Sequence, residues 1–329
     1  MQLKPFLLDA WLDRYEHGIE FNLAASTGPV WTVNELLALA GEDERRRFLN
    51  HPLVYSRPAG ADSLREAIAE MQGVGVECVQ VVTGASEALV ALMWMAAEPG
   101  ANVIVPRPGF TTFSALPESL GIETRFYDVR RETGFRIDVD EIERLADDRT
   151  KLILVNSPHN PTGAIVSDAE MERLHEFCAN RGIQLVSDEV YHPIYHGRAT
   201  RSAARLPHAT VIHDLSKAFS IGGVRTGWMI EHDARRREQY WTARSYFTVC
   251  NTTTGELLAE IAIRRRDVVL KKTQEVASRN LQHLTRFMDE HRDVLGWIPP
   301  RGGMTAFPWL LANSREPTAH EPWKLPWSE

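Results

Sequence analysis

Short apolar runs rich in Val, Ile and Leu alternate with helical patterns along the chain from residue 79 onward. Such an alternation is typical of a parallel or mostly parallel sheet with helices on both of its faces. The pattern therefore predicts a doubly wound α/β domain. The predicted strands cover residues 79–82, 102–105, 124–127, 151–155, 184–187, 210–213 and 228–230, and the predicted helices between them cover 86–97, 112–120, 139–146 and 168–181.

Beyond residue 230 the pattern becomes predominantly helical. Helical patterns cover 234–246 and 255–290, and a strand-like run at 304–310 follows a segment rich in proline and glycine at 299–303. This shift predicts a domain boundary near residue 250.

Composition and charge narrow the class of protein. The 329 residues are 43% hydrophobic and 25% charged, as in ordinary globular proteins, and a net charge of −7 offers no basic excess for a nucleic-acid backbone. Cys78, Cys178 and Cys250 form neither a disulfide framework nor a CxxC metal clip, which fits a reducing cytoplasm. No export signal is visible, and the longest strongly apolar run, 88–97, is too short to span a bilayer. We therefore expect a cytoplasmic protein of about two domains, with neither nucleic acid nor membrane as a partner.

Polar residues directly follow several of the predicted strands, at the edge where open α/β sheets bind their ligands. Lys217 lies just beyond one strand and Arg225 lies eight residues later among glycines, which suits a Schiff-base amine beside an anion-binding guanidinium. Asp188 ends a second strand, with Tyr191 three residues on, and Asn160 follows a third. Each also has a plainer interpretation: Lys217 as a surface lysine, Asp188 as a helix cap or turn residue, and Asn160 as part of a turn.

The segment from Gly84 to Ser86 opens a predicted helix directly after a strand. Unpaired backbone N–H groups and the positive end of the helix dipole meet there, so a phosphate would fit. The same turn allows a second interpretation, a nucleophile elbow with Ser86 as a hydrolase nucleophile, but alanine replaces the final glycine of that motif. A zinc pair at His192 and His196 is also disfavoured, because a proline lies between them and no HExxH motif is present. We expect no metal.

In order and spacing, these residues resemble the class I and II aminotransferases, the fold-type I enzymes that use pyridoxal 5′-phosphate (PLP). The resemblance extends from about Tyr55 to about Trp309. It implies PLP as the cofactor, amino acids and 2-oxo acids as substrates, and a homodimer as the working unit. It also implies roles by position, with Lys217, Asp188 and Tyr191 as the catalytic residues. Lys217 corresponds to the Schiff-base lysine, Asp188 to the partner of the pyridine nitrogen, and Tyr191 and Asn160 to the donors to the ring hydroxyl. The phosphate site corresponds to Arg225 together with Gly84, Ala85 and Ser86. Phe110 corresponds to the aromatic that stacks on the ring, and Tyr55 to the tyrosine that reaches the phosphate of the neighbouring subunit.

The chain departs from the family pattern at three places. Asp214 stands where many relatives carry a serine that contacts the phosphate, so an acid of like charge occupies that part of the cofactor site. Phe110 lacks the hydroxyl of the tyrosine often found at its position. The chain also stops soon after Trp309, where relatives continue into a small domain with the arginine that binds the substrate carboxylate. Arg315, in a tail without helical or strand periodicity, is a poor substitute for that arginine.

The resemblance implies a fold-type I PLP-dependent transferase, with a mostly parallel seven-stranded doubly wound large domain and an incomplete small α+β domain. We expect residues 1–40 to contribute to the small domain, 41–250 to form the PLP-binding large domain, and 251–329 to form a helical linker and the incomplete C-terminal part. The expected reaction moves an amino group between an L-amino acid and a 2-oxo acid, with Lys217 as the covalent anchor of the cofactor. Two alternatives stay open: a PLP-dependent lyase, oxidase or cyclase of amino-acid secondary metabolism, and a PLP-binding remnant with weak activity.

Overall fold

A seven-stranded sheet forms the centre of the molecule in the computed structural model, which describes residues 6–15 and 17–311. All seven predicted strands are confirmed. Arg315 and the remainder of the predicted C-terminal range beyond residue 311 lie outside the described residues. The strands are β1 (Val79–Val82), β2 (Asn102–Arg107), β3 (Glu123–Asp128), β4 (Thr150–Asn156), β5 (Gln184–Asp188), β6 (Ala209–Asp214) and β7 (Gly227–Ile230).

The order of the strands brings their carboxyl ends to one edge of the sheet. Across the sheet the order is β1, β7, β6, β5, β4, β2, β3. The pairs from β6 to β3 are parallel, and β7 runs antiparallel to both β6 and β1. Six strands therefore end at the edge where β7 begins, which confirms the mostly parallel doubly wound sheet.

The helices predicted between the strands, and the first helix predicted after them, are also confirmed. The longest of the inter-strand helices starts with a capping box, because the Ser167 hydroxyl accepts the Glu170 N–H at 3.3 Å and the Glu170 carboxylate accepts the Ser167 N–H at 2.8 Å. These helices are α5 (Ala85–Met95), α6 (Thr111–Ser119), α7 (Val139–Leu145), α8 (Asp168–Arg181) and α9 (Ala234–Ser245).

The structure adds helices before the first strand that the pattern analysis does not identify. They are short, but α2 carries a local signal, since Thr32 and Glu35 form a capping box at its start. In the described part of the chain these helices are α1 (Leu7–Tyr15), α2 (Val33–Leu39), α3 (Glu42–Leu49) and α4 (Asp62–Gln72).

Two expectations for the second half of the chain are wrong in detail. The helix predicted at 255–290 is two helices, α10 (Thr253–Arg264) and α11 (Arg266–Glu290). The helix breaks at Arg265, whose guanidinium donates to the Leu39 carbonyl at 3.1 Å and to Glu44 at 3.0 Å, so tertiary contacts override the local period.

None of the helices in residues 6–15 and 17–311 combines the length and apolar character that crossing a bilayer requires.

The strand predicted at 304–310 is also much shorter than expected. It shrinks to β9 (Trp309–Leu310), which pairs with β8 (Leu295–Gly296). The segment before it contacts the turn that follows β5 instead of a neighbouring strand, since the Gly303 N–H donates to the Ile194 carbonyl at 2.9 Å. An apolar run alone did not distinguish these two placements.

Apolar side chains cover both faces of the sheet. Val81 and Ile153 pack on one face with residues of α4, α8 and α10, whereas Val82 and Leu154 pack on the other with residues of α5 and α9. Neighbours along a strand point to opposite faces, so strands that are buried on both sides read as continuous apolar runs. The polar residues that follow these runs are thereby left at the sheet edge.

Candidate functional site

The carboxyl ends of the three central strands bring Asn160, Asp188 and Asp214 to one edge. β4 and β5 pair in register at Asn156 and Asp188, and the Asn156 amide donates to the Asp188 carbonyl at 3.1 Å. The side-chain oxygen of Asn156 accepts the Asn160 N–H at 2.8 Å, which fixes the turn that carries Asn160. Asn160 is half-buried, and Asp214 is 5% exposed.

The start of β7 places Arg225 beside the loop that opens α5. Gly227 pairs with Val82 on one side and with Asp214 on the other. Gly84 in the facing loop has a φ of +73°, and a Cβ built there would lie 2.6 Å from Nη2 of Arg225. Only glycine suits this position, because the backbone is left-handed and the guanidinium approaches closely.

Asp214 also contacts the start of α5. Its Oδ2 accepts the Ala85 N–H at 3.2 Å, and its Oδ1 accepts the Ser216 N–H at 2.9 Å and the Ser216 hydroxyl at 2.6 Å. Ser86, the next residue of the helix, is exposed. Asp214 therefore occupies one N–H group of the first helical turn.

Lys217 is half-buried among groups of both charges. Its amine donates to the Ser26 hydroxyl at 2.9 Å. Burial lowers the pKa of this amine, and Arg225 adds to the effect, whereas Asp214 and Asp188 oppose it. The free-base form of the lysine is thus more accessible than in an exposed lysine.

Asp188 is 3% exposed and has a pKa raised to about 7, chiefly by burial. The Val190 N–H, at 3.2 Å from Oδ1, and the charge of Lys217 oppose the rise, while Asp214 and Glu189 add to it. A carboxyl group with this pKa both holds and releases a proton near neutral pH.

Tyr191 is 2% exposed and points its hydroxyl into the same region. The hydroxyl has no hydrogen-bond partner among the described residues. Burial raises the pKa of the phenol, and the nearby Ser26 side chain partly opposes that rise. Met304 packs against the apolar cluster that contains Tyr191, so the segment after α11 also reaches this site. A buried polar atom without a partner is uncommon and marks a place for a ligand atom.

Neither of the other two predicted residues forms a hydrogen bond or ring contact with this group among the described residues. Phe110 is half-buried, with edge contacts to Phe6 at 5.9 Å and to Phe113 at 5.8 Å between ring centroids. Tyr55 is 88% exposed and makes no hydrogen bond or ring contact within residues 6–15 and 17–311.

Ser26 is the main residue of the site that the sequence did not reveal. It lies in a run of small residues, 24–28, before the first long stretch of regular structure, and this run carries no recognisable motif. Its contact with Lys217 joins residues 191 positions apart. Only the folded chain shows that this N-terminal segment lies over the lysine.

Comparison with known proteins assigns this arrangement to one family. Residues 43–324 match the sequence profile described as Aminotransferase class I and II. Capreomycidine synthase of Streptomyces vinaceus is 28% identical over 311 residues, which is 93% of this chain and 80% of the synthase. The arginine–pyruvate transaminase of Pseudomonas aeruginosa is 33% identical over 229 residues, covering 67% of this chain but only 58% of the transaminase.

Solved structures agree with the sequence matches. A PLP-dependent aminotransferase from Streptococcus suis superposes with a TM-score of 0.85 at 25% identity, covering 91% of this chain and 81% of that one. The PLP-dependent cyclase OrfR superposes with a TM-score of 0.82 at 25% identity, covering 92% and 80%.

Asp188→Asn should change how the stability of the cofactor-free protein depends on pH. The folded-state pKa of Asp188 is about 7 against an ordinary 3.8. Its contribution to the free energy of unfolding is therefore fully present below about pH 4 and is lost as pH rises through 7. At 1.36 kcal/mol per pKa unit the loss reaches up to about 4 kcal/mol, and the variant does not show it because asparagine does not titrate.

Urea unfolding of both proteins from about pH 5 to about pH 8 measures this difference. The free energy of unfolding of the wild type, minus that of the variant, should fall as pH rises. The buried Glu256, whose pKa is also raised, does not interact with Asp188, so it titrates alike in both proteins and cancels from the comparison. A difference that stays constant with pH would contradict the assignment.

Proposed function

Because the chain belongs to the aminotransferase class I and II family, whose cofactor is pyridoxal 5′-phosphate, we propose that it moves an amino group between an L-amino acid and a 2-oxo acid. The observation that carries this proposal is the meeting of Lys217 and Asp188 at the sheet edge, one with a lowered pKa and the other with a raised pKa. Such opposed shifts at one site are typical of acid–base catalysis.

The residues of the site fit the cofactor. A phosphate matches the first turn of α5, where backbone N–H groups have no partner within the helix, together with the guanidinium of Arg225 beside Gly84. A ring hydroxyl matches the buried Tyr191 hydroxyl, which lacks a partner among the described residues, and Asn160 follows β4 at the same edge of the sheet. Phe110 offers a half-buried aromatic ring for stacking.

Lys217 would hold the cofactor and then act as a base. When bound, PLP supplies an electron-withdrawing ring that acidifies the Cα–H bond of the amino acid attached to it. The lowered pKa of Lys217 favours the free amine, which accepts a proton at Nζ. The Ser26 hydroxyl oxygen, at 2.9 Å from that nitrogen, orients the amine by accepting a hydrogen bond from it.

Asp188 would face the ring nitrogen and Tyr191 the ring hydroxyl. With a pKa of about 7, the buried Asp188 carboxyl can share a proton with a ring nitrogen at neutral pH. The N–H of Val190 holds one of its oxygens in place at 3.2 Å. The other oxygen is then left for the cofactor.

A second function is favoured by one observation. Capreomycidine synthase matches 93% of this chain, more of it than the arginine–pyruvate transaminase does, and the cyclase OrfR has the same fold. The same cofactor serves elimination and cyclisation as well as transfer. A PLP-dependent cyclase is therefore the alternative to amino transfer.

Amino transfer should be detectable with purified, PLP-loaded protein. A panel of L-amino acids that includes arginine is offered with pyruvate, and the expected products are alanine and the matching 2-oxo acid in equal amounts. Lys217→Ala should lower the rate by at least about a hundredfold, because it removes both the covalent anchor and the base.

Lys151→Ala is the matched control, since Lys151 lies on β4 of the same sheet but pairs with Glu98 at 2.6 Å on the surface. It should keep the activity, and borohydride should attach the cofactor to the Lys217 peptide only. Product formed without consumption of pyruvate would favour the cyclase. If no amino acid gives a product, the chain would be a protein that binds PLP without turnover, and both proposals would be overturned.

The working unit is proposed to be a homodimer in which Tyr55 serves the neighbouring site. Tyr55 is 88% exposed, and Leu53 and Val54 beside it are 86% and 62% exposed. Large apolar side chains in one exposed segment favour burial against another protein surface. The two sites of a two-fold dimer are identical, so each subunit would contribute its Tyr55 to the site of the other.

Mixed dimers of Tyr55→Phe and Lys217→Ala test this exchange. If Tyr55 acts across the interface, each mixed dimer contains one site with both residues intact, and its activity should approach half that of the wild type. If Tyr55 acts within its own subunit, mixing gives no gain over the Tyr55→Phe dimer alone. Light scattering on the same samples should give twice 37.2 kDa.

A further inference from the structure

A buried ion pair lies directly beneath the start of α5. Arg244, near the end of α9, is 1% exposed, and the side chain of Glu87, in the first turn of α5, is 5% exposed. The Arg244 Nε lies 2.9 Å from the Glu87 Oε1. None of the roles assigned above uses either residue.

The Glu87 carboxylate holds the loop that leads into α5. Its Oε2 accepts the N–H of Thr83, and its Oε1 accepts the Thr248 hydroxyl at 2.7 Å. Thr83 directly precedes Gly84, so this carboxylate fixes the backbone on which the phosphate would rest. Both of its oxygens point toward the protein interior and are satisfied there.

Arg244 ties the same loop to two other segments. Its guanidinium donates to the Val81 carbonyl at 2.7 Å, to the Pro58 carbonyl and to the side-chain oxygen of Asn251. The amide of Asn251 in turn donates to the Val82 carbonyl at 2.8 Å. One side chain therefore joins the end of β1, the segment after Tyr55 and the entry to α10.

The charge of this pair matters for an anion at the start of α5. A carboxylate in the first turn of a helix occupies the region where the helix dipole attracts negative charge, so it competes with a bound phosphate and repels it. Arg244 neutralises that carboxylate and keeps it turned inward. Without Arg244, Glu87 would be a buried, uncompensated charge beside the phosphate.

We propose that Arg244 is a positioning residue for the cofactor phosphate, acting through Glu87. The proposal rests on the function proposed above, since it assumes that the phosphate of PLP binds at the start of α5. The effect concerns only the phosphate. Other residues hold the ring of the cofactor, so the affinity for the ring should not depend on Arg244.

Binding of PLP and of pyridoxal, which lacks the phosphate, separates a specific effect from a general loss of structure. Arg244→Gln should weaken PLP binding at least about tenfold while changing the Kd of pyridoxal less than about threefold. Arg244→Lys, which keeps the charge but loses the planar fork, should retain more phosphate selectivity than Arg244→Gln. The double variant Arg244→Gln with Glu87→Gln removes both charges and should regain most of the lost PLP affinity.

Glu231→Gln is the matched control. Glu231 is 1% exposed, pairs with Arg236 at 3.0 Å and follows β7 at the opposite edge of the sheet. This variant should lower the melting temperature without changing the ratio of the two Kd values. Thermal melts without cofactor show which variants are folded, and the neutral double variant provides a folded comparison if Arg244→Gln is too unstable.

Equal loss of PLP and pyridoxal binding in Arg244→Gln would overturn the proposal, as would an unchanged Kd for PLP or a double variant no better than the single one. Failure of the proposed function would look different, because the wild-type protein itself would then bind PLP no more tightly than pyridoxal.

Discussion

Strand β7 enters the sheet at the edge where the other six strands end, and the close approach between β7 and β6 sets the geometry of the site. A Cβ on Gly227 would lie 2.6 Å from the His213 carbonyl oxygen, so a larger residue would push the strands apart. Because β7 begins at this edge, the turn before it carries Arg225 to the start of α5. The chain leaving β6 meanwhile carries Lys217 past the end of β5. A cation for a phosphate and an amine for chemistry thus lie in one connection whose two ends are fixed by neighbouring strands.

Burial then gives these groups their chemical character. Desolvation moves the pKa of the Lys217 amine down and that of the Asp188 carboxyl up, so both approach neutral pH from opposite sides. Glu189 is buried beside them, and its Oε1 accepts the Ser187 hydroxyl at 2.9 Å and the Ala203 N–H at 2.8 Å. These hydrogen bonds oppose the rise in its pKa that burial causes.

The sequence predicted those features that local patterns encode. Strands buried on both faces appear as apolar runs, and polar residues at their ends mark the site, so Lys217 and Asp188 could be named without a structure. Their proposed roles stay predictions, as do the domain bounds. Ser26 and Arg244 were not found, because their contacts join residues 191 and 157 positions apart and leave no periodic signal. The break at Arg265 was missed for the same reason, since its partners lie in the N-terminal helices.

The contact between Ser26 and Lys217 also constrains the order in which the molecule can assemble. Closing a loop of 191 residues costs entropy before the contact returns any stabilisation, so we expect the N-terminal segment to dock after the sheet has formed. During synthesis, residues 21–30 leave the ribosome long before β6 exists to receive them. In any species with a formed sheet and an undocked segment, the Lys217 amine would face water on that side and lose part of the burial that lowers its pKa. The chemical character of the lysine therefore depends on the docking of this segment as well as on the sheet.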